Sequence, residues 1–145
     1  MGQEILLFQY TYTKHHKYTE GEVVDINGTK YLKITPNEYN TVIYISEFDC
    51  SSKTKFTTTV FAEIEKENYS TDIWVQDYNY DKISLFKKTG LTKEPTEISA
   101  EIASAGNWYT VSQEKYCRNL QICVQDDTYA AVSDVTIYIG KIIAE

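Results

Sequence analysis

Polar and apolar residues alternate with a period of two along almost the whole chain, and no long stretch repeats every 3.6 residues as an amphipathic helix does. The alternating segments are rich in Val, Ile, Thr, Tyr, Phe and Trp, which favour strands. They predict strands over Ile5–Thr13, Tyr18–Ile26, Lys30–Thr35, Tyr39–Phe48, Phe56–Lys66, Thr71–Tyr78, Lys82–Lys88, Thr96–Ala103, Asn107–Val111, Asn119–Gln125 and Val135–Ile143. Many short strands with no helix indicate a two-sheet sandwich or a barrel.

Turn residues separate the predicted strands. They occur at Asp25-Ile26-Asn27-Gly28, Thr35-Pro36-Asn37-Glu38, Cys50-Ser51-Ser52-Lys53, Glu67-Asn68-Tyr69-Ser70, Thr89-Gly90 and Gln125-Asp126-Asp127. Asn27-Gly28 lies between two apolar pairs and predicts a short hairpin. The chain has no Gly/Ser-rich linker and no repeat, so we predict a single domain over residues 1–145.

Charge excludes two classes of partner. Fourteen basic residues stand against 21 acidic ones, which gives a net charge of −7. Arg118 is the one arginine, whereas a protein that follows a phosphate backbone needs clustered Lys and Arg. We therefore expect neither nucleic acid nor an anionic membrane surface as a partner.

The cysteines and histidines form no recognised site. Cys50, Cys117 and Cys123 lack the C-x2-C spacing of a zinc site, and three structural thiols are expected. The alternative is one disulfide that joins Cys117 to Cys50 or to Cys123. The histidines are adjacent, His15-His16, and neighbours on a strand point to opposite faces, so a solvated turn is favoured over a ligand pair.

Alternation sorts each strand onto a core face and an outer face. The core set is Leu32, Ile34, Phe56, Thr58, Val60, Ala62, Ile64, Ile73, Val75, Leu120, Ile122, Val124, Val135, Ile137 and Ile139. Thirteen tyrosines make the chain unusually aromatic, and part of this excess falls on the outer face with glutamines. That outer set is Tyr31, Phe61, Trp74, Gln76, Tyr78, Gln121, Gln125 and Tyr138, and Cys123 shares its face.

Exposed aromatic side chains grouped on one face indicate a binding surface. Aromatic rings stack on the C–H face of a sugar, and an amide bridges neighbouring hydroxyls with a donor and an acceptor. We therefore predict that the outer set forms a polysaccharide-binding face on one sheet. The alternative is that Trp74 is a core residue, because a shift of one residue in register exchanges the two faces. Core or edge packing is favoured for Trp108.

The second half of the chain resembles the non-catalytic carbohydrate-binding modules that have a jelly-roll β-sandwich of the galactose-binding-like type. The strings that carry the resemblance are, in order, Phe56-Thr57-Thr58-Thr59-Val60-Phe61-Ala62-Glu63, Asp72-Ile73-Trp74-Val75-Gln76, Trp108-Tyr109-Thr110-Val111-Ser112, Leu120-Gln121-Ile122-Cys123-Val124 and Asp134-Val135-Thr136-Ile137-Tyr138-Ile139-Gly140. It implies an all-β, antiparallel two-sheet jelly roll. It also implies a module, not an enzyme, that binds a plant cell-wall β-glycan such as β-glucan, xylan or mannan.

The resemblance further implies an extracellular module that belongs to a larger multidomain secreted protein and targets an attached enzyme to its substrate. In the family, the last strand commonly ends in an acid that helps to bind a structural calcium. This chain has Gly140 there, which leaves Asp126, Asp127 and Asp134 as the alternative oxygen ligands. Two other functions stay open: a structural or receptor-binding module of a phage, viral or cell-surface fibre, and a small glycan-cleaving enzyme.

Overall fold

A computed structural model of the protein describes residues 3–4, 22–36, 41–49, 55–77, 82–101 and 116–145. Two predicted strands, Ile5–Thr13 and Asn107–Val111, lie outside these residues. The described strands are β1 (Gln3–Glu4), β2 (Glu22–Ile26), β3 (Thr29–Ile34), β4 (Thr41–Asp49), β5 (Lys55–Ala62), β6 (Lys66–Asp77), β7 (Lys82–Leu91), β8 (Thr96–Glu101), β9 (Tyr116–Gln125), β10 (Ile137–Ile139) and β11 (Ile143–Ala144). Over these ranges, no helix is long and apolar enough to cross a membrane.

The described strands form two antiparallel sheets. A seven-stranded sheet has the order β1-β11-β5-β10-β3-β2, with β8 paired to the free edge of β5. A four-stranded sheet has the order β4-β9-β6-β7. The all-β, two-sheet jelly-roll sandwich that the sequence predicts is therefore confirmed.

The core lies between the sheets and draws on both of them. Its largest fully buried side chains are Leu32, Ile34, Phe56, Ile73, Leu91 and Ile122. The cluster continues through Val60, Ala62, Phe86, Val124, Val135, Ile137, Ile139 and Ile142. Alternation predicted most of these residues, because each inward side chain removes apolar surface from water on one face of its strand.

The hairpin predicted at Asn27-Gly28 is confirmed. Asn27 and Gly28 have φ values of 53° and 85°, and β2 pairs with β3 directly on either side of them. Two positive φ values are the requirement of the tight turn whose twist matches that of the strands. The Gly28 N–H also donates a hydrogen bond of 2.9 Å to Asp25 Oδ1.

The predicted strand Phe56–Lys66 is confirmed as far as Ala62 and is wrong over residues 63–65. β5 ends at Ala62, and the chain bends over residues 63–64 before β6 begins at Lys66. The Glu63 N–H donates to the Thr136 carbonyl at the bend. Alternation does not continue through a bend. Ile64 was predicted to lie in the core, but it is 40% exposed.

Two predicted turns are strand. β6 runs through Glu67-Asn68-Tyr69-Ser70, and β7 runs through Thr89-Gly90. The pairing of β6 with β7 shifts register between Lys66 and Ser70. A bulge of this kind accommodates turn-forming residues without ending the strand, which local sequence preference does not reveal.

The predicted strand Val135–Ile143 is divided at Gly140 into β10 and β11. Gly140 lies against Thr59, and its N–H donates a 2.8 Å hydrogen bond to the Thr59 carbonyl. The Thr58 hydroxyl donates to the Gly140 carbonyl at 3.2 Å. The division lets one chain segment pair with β5 at two places along the same edge.

Candidate functional site

The predicted binding residues are divided between the two sheets, so the prediction of one shared face is wrong. The seven-stranded sheet carries Tyr31, Phe61 and Tyr138. The four-stranded sheet carries Trp74, Gln76, Gln121 and Gln125. Tyr78 lies outside the described residues. Alternation assigns a side chain to one face of its own strand, but only the pairing of distant strands decides which sheet holds that strand.

The three aromatic residues of the seven-stranded sheet pack against one another. Phe61 and Tyr138 are register partners, and their rings are stacked with centroids 4.5 Å apart. Tyr31 meets Phe61 edge-on at 5.0 Å and is only 8% exposed. Rings that cover each other stabilise the sheet and leave little ring face for a ligand.

Trp74 and Gln121 lie side by side on the outer face of the four-stranded sheet. They are register partners across β6 and β9, and both are half-buried. Their neighbours Ile73 and Ile122 are also partners and are fully buried on the opposite face. Trp74 is therefore an outer residue as predicted, and the alternative of a core tryptophan is excluded.

The outer face continues along β6 from Trp74 toward its start. Asp72 pairs with Cys123 on β9 and with Lys87 on β7. Cys123 shares this face, as predicted, but is buried. Burial raises the pKa of Asp72, and the nearby Lys87 lowers it by a smaller amount. A partly desolvated carboxylate on this face is a candidate acceptor for a ligand hydroxyl. Asp72 was not among the site residues predicted from the sequence.

Ser70 is the next outer position of β6, and it pairs with Gln125 on β9 and Thr89 on β7. Gln125 therefore lies on the same sheet as Trp74, four positions along β9 from Gln121. Gln76 occupies the register position opposite Asn119, beyond Trp74 in the other direction. The predicted site residues on this sheet, Trp74, Gln76, Gln121 and Gln125, thus lie along the neighbouring strands β6 and β9. We name the outer positions Ser70, Asp72, Trp74, Lys87, Gln121 and Gln125 the tryptophan face.

A pocket of about 310 Å³ adjoins this face where β6 and β9 meet the turn over residues 126–131. Ser70, Lys87 and Thr89 line it from the sheet, and Asp126 and Tyr129 line it from the turn. The turn at Gln125-Asp126-Asp127 was predicted from the sequence, but Tyr129 was not among the predicted site residues. A tyrosine inside a polar turn was the available signal.

A smaller pocket of about 230 Å³ lies on the seven-stranded sheet. Thr57, Thr59 and Gly140 line it together with Tyr31 and Lys141. Its aromatic ring is that of the buried Tyr31, which offers no broad surface for stacking. The tryptophan face is therefore the stronger candidate.

Two of the three acids predicted as calcium ligands, Asp126 and Asp134, accept hydrogen bonds from protein groups. Asp126 Oδ1 accepts hydrogen bonds from the N–H and the hydroxyl of Thr128 and from the Ala130 N–H. Asp134 Oδ2 accepts one from the Tyr69 hydroxyl at 3.1 Å. Across the described ranges, no group of three or more His, Cys, Asp or Glu is arranged to hold a metal ion. Calcium binding stays a prediction.

No protein-family model and no curated protein sequence matches the chain. Among solved structures, it is similar to the family 11 carbohydrate-binding module of the cellulosomal cellulase Lic26A-Cel5E of Clostridium thermocellum, with a TM-score of 0.60 and 6% identity over 99% of this chain and 94% of that chain. It is also similar to the family 30 module of another cellulosomal cellulase of the same organism, with a TM-score of 0.54 and 9% identity over 99% and 90% of the two chains. A family 29 carbohydrate-binding module from Piromyces equi is also similar, with a TM-score of 0.50 and 14% identity over 99% of this chain and 90% of that chain. The chain therefore has the β-sandwich fold of the carbohydrate-binding modules.

Proposed function

We propose that this protein binds a neutral polysaccharide without cleaving it, through the tryptophan face of the four-stranded sheet. The observation that carries the proposal is the pairing of Trp74 with Gln121, which sets an indole ring directly beside an amide on an outer face. A plant cell-wall β-glycan such as β-glucan, xylan or mannan is the class of ligand that we expect.

The chemistry of the face suits a sugar chain. The indole supplies a broad apolar surface for the C–H face of a pyranose ring. Gln121 supplies a donor and an acceptor, and Asp72 supplies an acceptor with partly lost hydration. Lys87 supplies a donor on the neighbouring strand. A net charge of −7 gives no attraction for an anionic polymer, which favours a neutral one.

The structural neighbours support a binding role over a catalytic one. Each of the three is named as a carbohydrate-binding module, and two are parts of cellulosomal cellulases. By analogy, we infer that this protein is an extracellular module that directs an attached enzyme to its substrate. A face with one half-buried tryptophan should bind with a Kd between about 1 μM and 1 mM, or about −8 to −4 kcal/mol.

Affinity electrophoresis through gels that contain β-glucan, xylan or mannan tests the proposal. We expect at least one glycan to retard the wild type, and Trp74→Ala to lose at least tenfold in affinity, as for a central aromatic contact. Ile64→Ala is the matched control, because Ile64 is an exposed apolar residue that does not line the tryptophan face. A wild type that no glycan retards would refute the binding function. A Trp74→Ala variant that binds as well as the wild type would refute the site.

Two further measurements separate the alternatives. A reducing-sugar assay on the retained glycan should show no release, whereas release would indicate an enzyme that cleaves glycans. Light scattering should show no trimer, whereas a stable trimer without glycan binding would favour the fibre module, because fibres assemble with closed symmetry.

A further inference from the structure

Tyr129 combines high exposure with an unusual backbone. Its side chain is 76% exposed, and its φ is +64°. Bulky residues other than Gly, Asn and Asp rarely adopt a left-handed conformation, and those that do are frequent at binding sites. The turn therefore holds a large aromatic ring in solvent at a position where a small residue would be less strained.

The turn fixes this backbone through Asp126. Asp126 Oδ1 accepts hydrogen bonds of 2.8 and 2.6 Å from the N–H and the hydroxyl of Thr128, and one of 3.1 Å from the Ala130 N–H. The Tyr129 N–H donates to the Asp126 carbonyl at 3.1 Å, and the Asp126 N–H donates to the Ala130 carbonyl at 2.9 Å. Hydrogen bonds from Thr128 and Ala130 hold the pKa of Asp126 below its usual value, so the carboxylate keeps its charge to a lower pH than an ordinary aspartate does. A ligand that contacts Tyr129 would meet a backbone that is already ordered, which lowers the entropic cost of binding.

The pocket of about 310 Å³ connects Tyr129 to the tryptophan face. Ser70 and Lys87 line the pocket, and Lys87 pairs with Asp72 on the outer face. Trp74 lies four residues beyond Ser70 on β6, a distance of about 13 Å along the strand. One sugar ring does not span that distance, but an oligosaccharide does.

We propose that this pocket is a second sugar subsite, in which Tyr129 stacks on a ring of the same glycan that Trp74 holds. The subsite rests on the proposed function of the tryptophan face, and it extends that face beyond the sheet. Asn68 in its lining supplies an amide, and Lys87 supplies an ammonium donor for hydroxyls.

The charge of the pocket selects the class of glycan. The lining of the pocket contains three acidic residues, Glu67, Asp126 and Asp127, and one basic residue, Lys87. A polymer of uronic acids would bring further carboxylates into this surplus of negative charge. The subsite therefore suits a neutral glycan and opposes an anionic one.

Calorimetric titration with a length series of oligosaccharides, made from the glycan that retards the wild type, tests the subsite. Tyr129→Asn removes the ring and tolerates the left-handed backbone, whereas Tyr129→Phe keeps the ring. Ile64→Ala again controls for the loss of exposed apolar surface. We expect Tyr129→Asn to bind the longer oligosaccharides about 2- to 12-fold more weakly, which corresponds to about 0.5–1.5 kcal/mol.

Tyr129→Asn and the wild type should have the same affinity for the shortest oligosaccharides that bind at Trp74. Tyr129→Phe should have the affinity of the wild type at every length. If the affinity of Tyr129→Asn increased with oligosaccharide length as much as that of the wild type, the subsite would be refuted, but binding at the tryptophan face would not. An equal loss at all lengths would also overturn the subsite, because the effect would then be general. Preferential binding of polygalacturonate would overturn its assignment to neutral glycans. The function itself fails separately, if the wild type binds none of the oligosaccharides.

Discussion

The rings of Phe61 and Tyr138 stack across β5 and β10, with centroids 4.5 Å apart and planes inclined by 2°. Their strands are adjacent in the seven-stranded sheet, and the two residues are register partners. Tyr31 completes the group with an edge-on contact. These aromatic residues contribute to the pairing of three strands, on the sheet that does not carry Trp74.

Phe61→Leu should lower the free energy of unfolding without changing glycan binding. The substitution keeps an apolar side chain but removes the stacked pair, which is worth about 0.5–1.5 kcal/mol beyond the buried area. Urea denaturation measures the stability, and affinity electrophoresis measures the binding. Weaker retardation of the folded variant would show that the seven-stranded sheet takes part in binding.

Thr71→Val should stabilise the protein by about 1 kcal/mol. Thr71 is buried on the inner face, and its hydroxyl has no hydrogen-bond partner in the part of the chain that the structure describes. A buried polar group without a partner costs about 1–3 kcal/mol, and Val keeps the branched shape that strands favour.

Thr58→Val is the matched control for that experiment. Thr58 is equally buried, but its hydroxyl donates to the Gly140 carbonyl. Loss of this hydrogen bond should destabilise the protein by about 1 kcal/mol. The two variants should shift the urea midpoint in opposite directions, and a shift of both in the same direction would contradict the assignment of the hydroxyls.

Asp72→Asn should raise the melting temperature at pH 7. Burial raises the pKa of Asp72, which means that the folded protein holds the proton more tightly than the unfolded chain. The stability from this group is present below the unfolded pKa and is lost as the pH rises through the folded pKa. The difference between Asp72→Asn and the wild type should therefore vanish at about pH 3, below the usual pKa of an aspartate.

Lys87 provides the check on that explanation, because its charge opposes the effect of burial. Lys87→Met should lower the melting temperature of the wild type more than that of Asp72→Asn. A lower melting temperature for Asp72→Asn at pH 7 would show that attraction to Lys87 outweighs the cost of burial.

Gly140→Ala should change stability by less than about 1 kcal/mol, whereas Gly140→Asp should destabilise by at least about 2 kcal/mol. A Cβ at Gly140 would lie 3.4 Å from the Thr59 carbonyl oxygen, which is an ordinary contact. A carboxylate at this buried position would lose its hydration. Melting curves with and without calcium measure both effects, and rescue of Gly140→Asp by calcium would support a calcium site like the one that the sequence resemblance implies.

Local pattern was sufficient for the inward side chains and for one turn. Ile73, Ile122 and Ile137 are buried as alternation predicted, because alternate side chains of a strand point to the same face. Parity did not predict that Tyr31 and Cys123 are also buried on the outer faces. The hairpin at Asn27-Gly28 followed from the backbone preferences of two residues. That residues 1–145 form a single domain stays a prediction, as does a ligand role for Tyr78.

The assignment of strands to sheets depended on contacts between residues far apart in the sequence. β10 pairs with β3 and β5, which places Tyr138 beside Phe61, whereas β6 pairs with β9, which places Trp74 beside Gln121. The alternation within a strand is the same whichever sheet the strand joins. The prediction from alternation therefore grouped aromatic residues that lie on different sheets. The exposure of Tyr129 has a local origin instead, because the hydrogen bonds that Asp126 makes within its own turn fix a conformation that β-propensity does not predict.

The all-β class, most of the core faces and the presence of outward aromatic residues could be predicted from the amino-acid pattern, since these depend on period and residue type. The pairing of the strands in three dimensions places Trp74, Asp72 and Gln121 on one face, while Phe61 and Tyr138 pack on the other sheet. The physical reason is that strand pairing is set by the burial of both sheets together, a property of the whole chain and of no single segment.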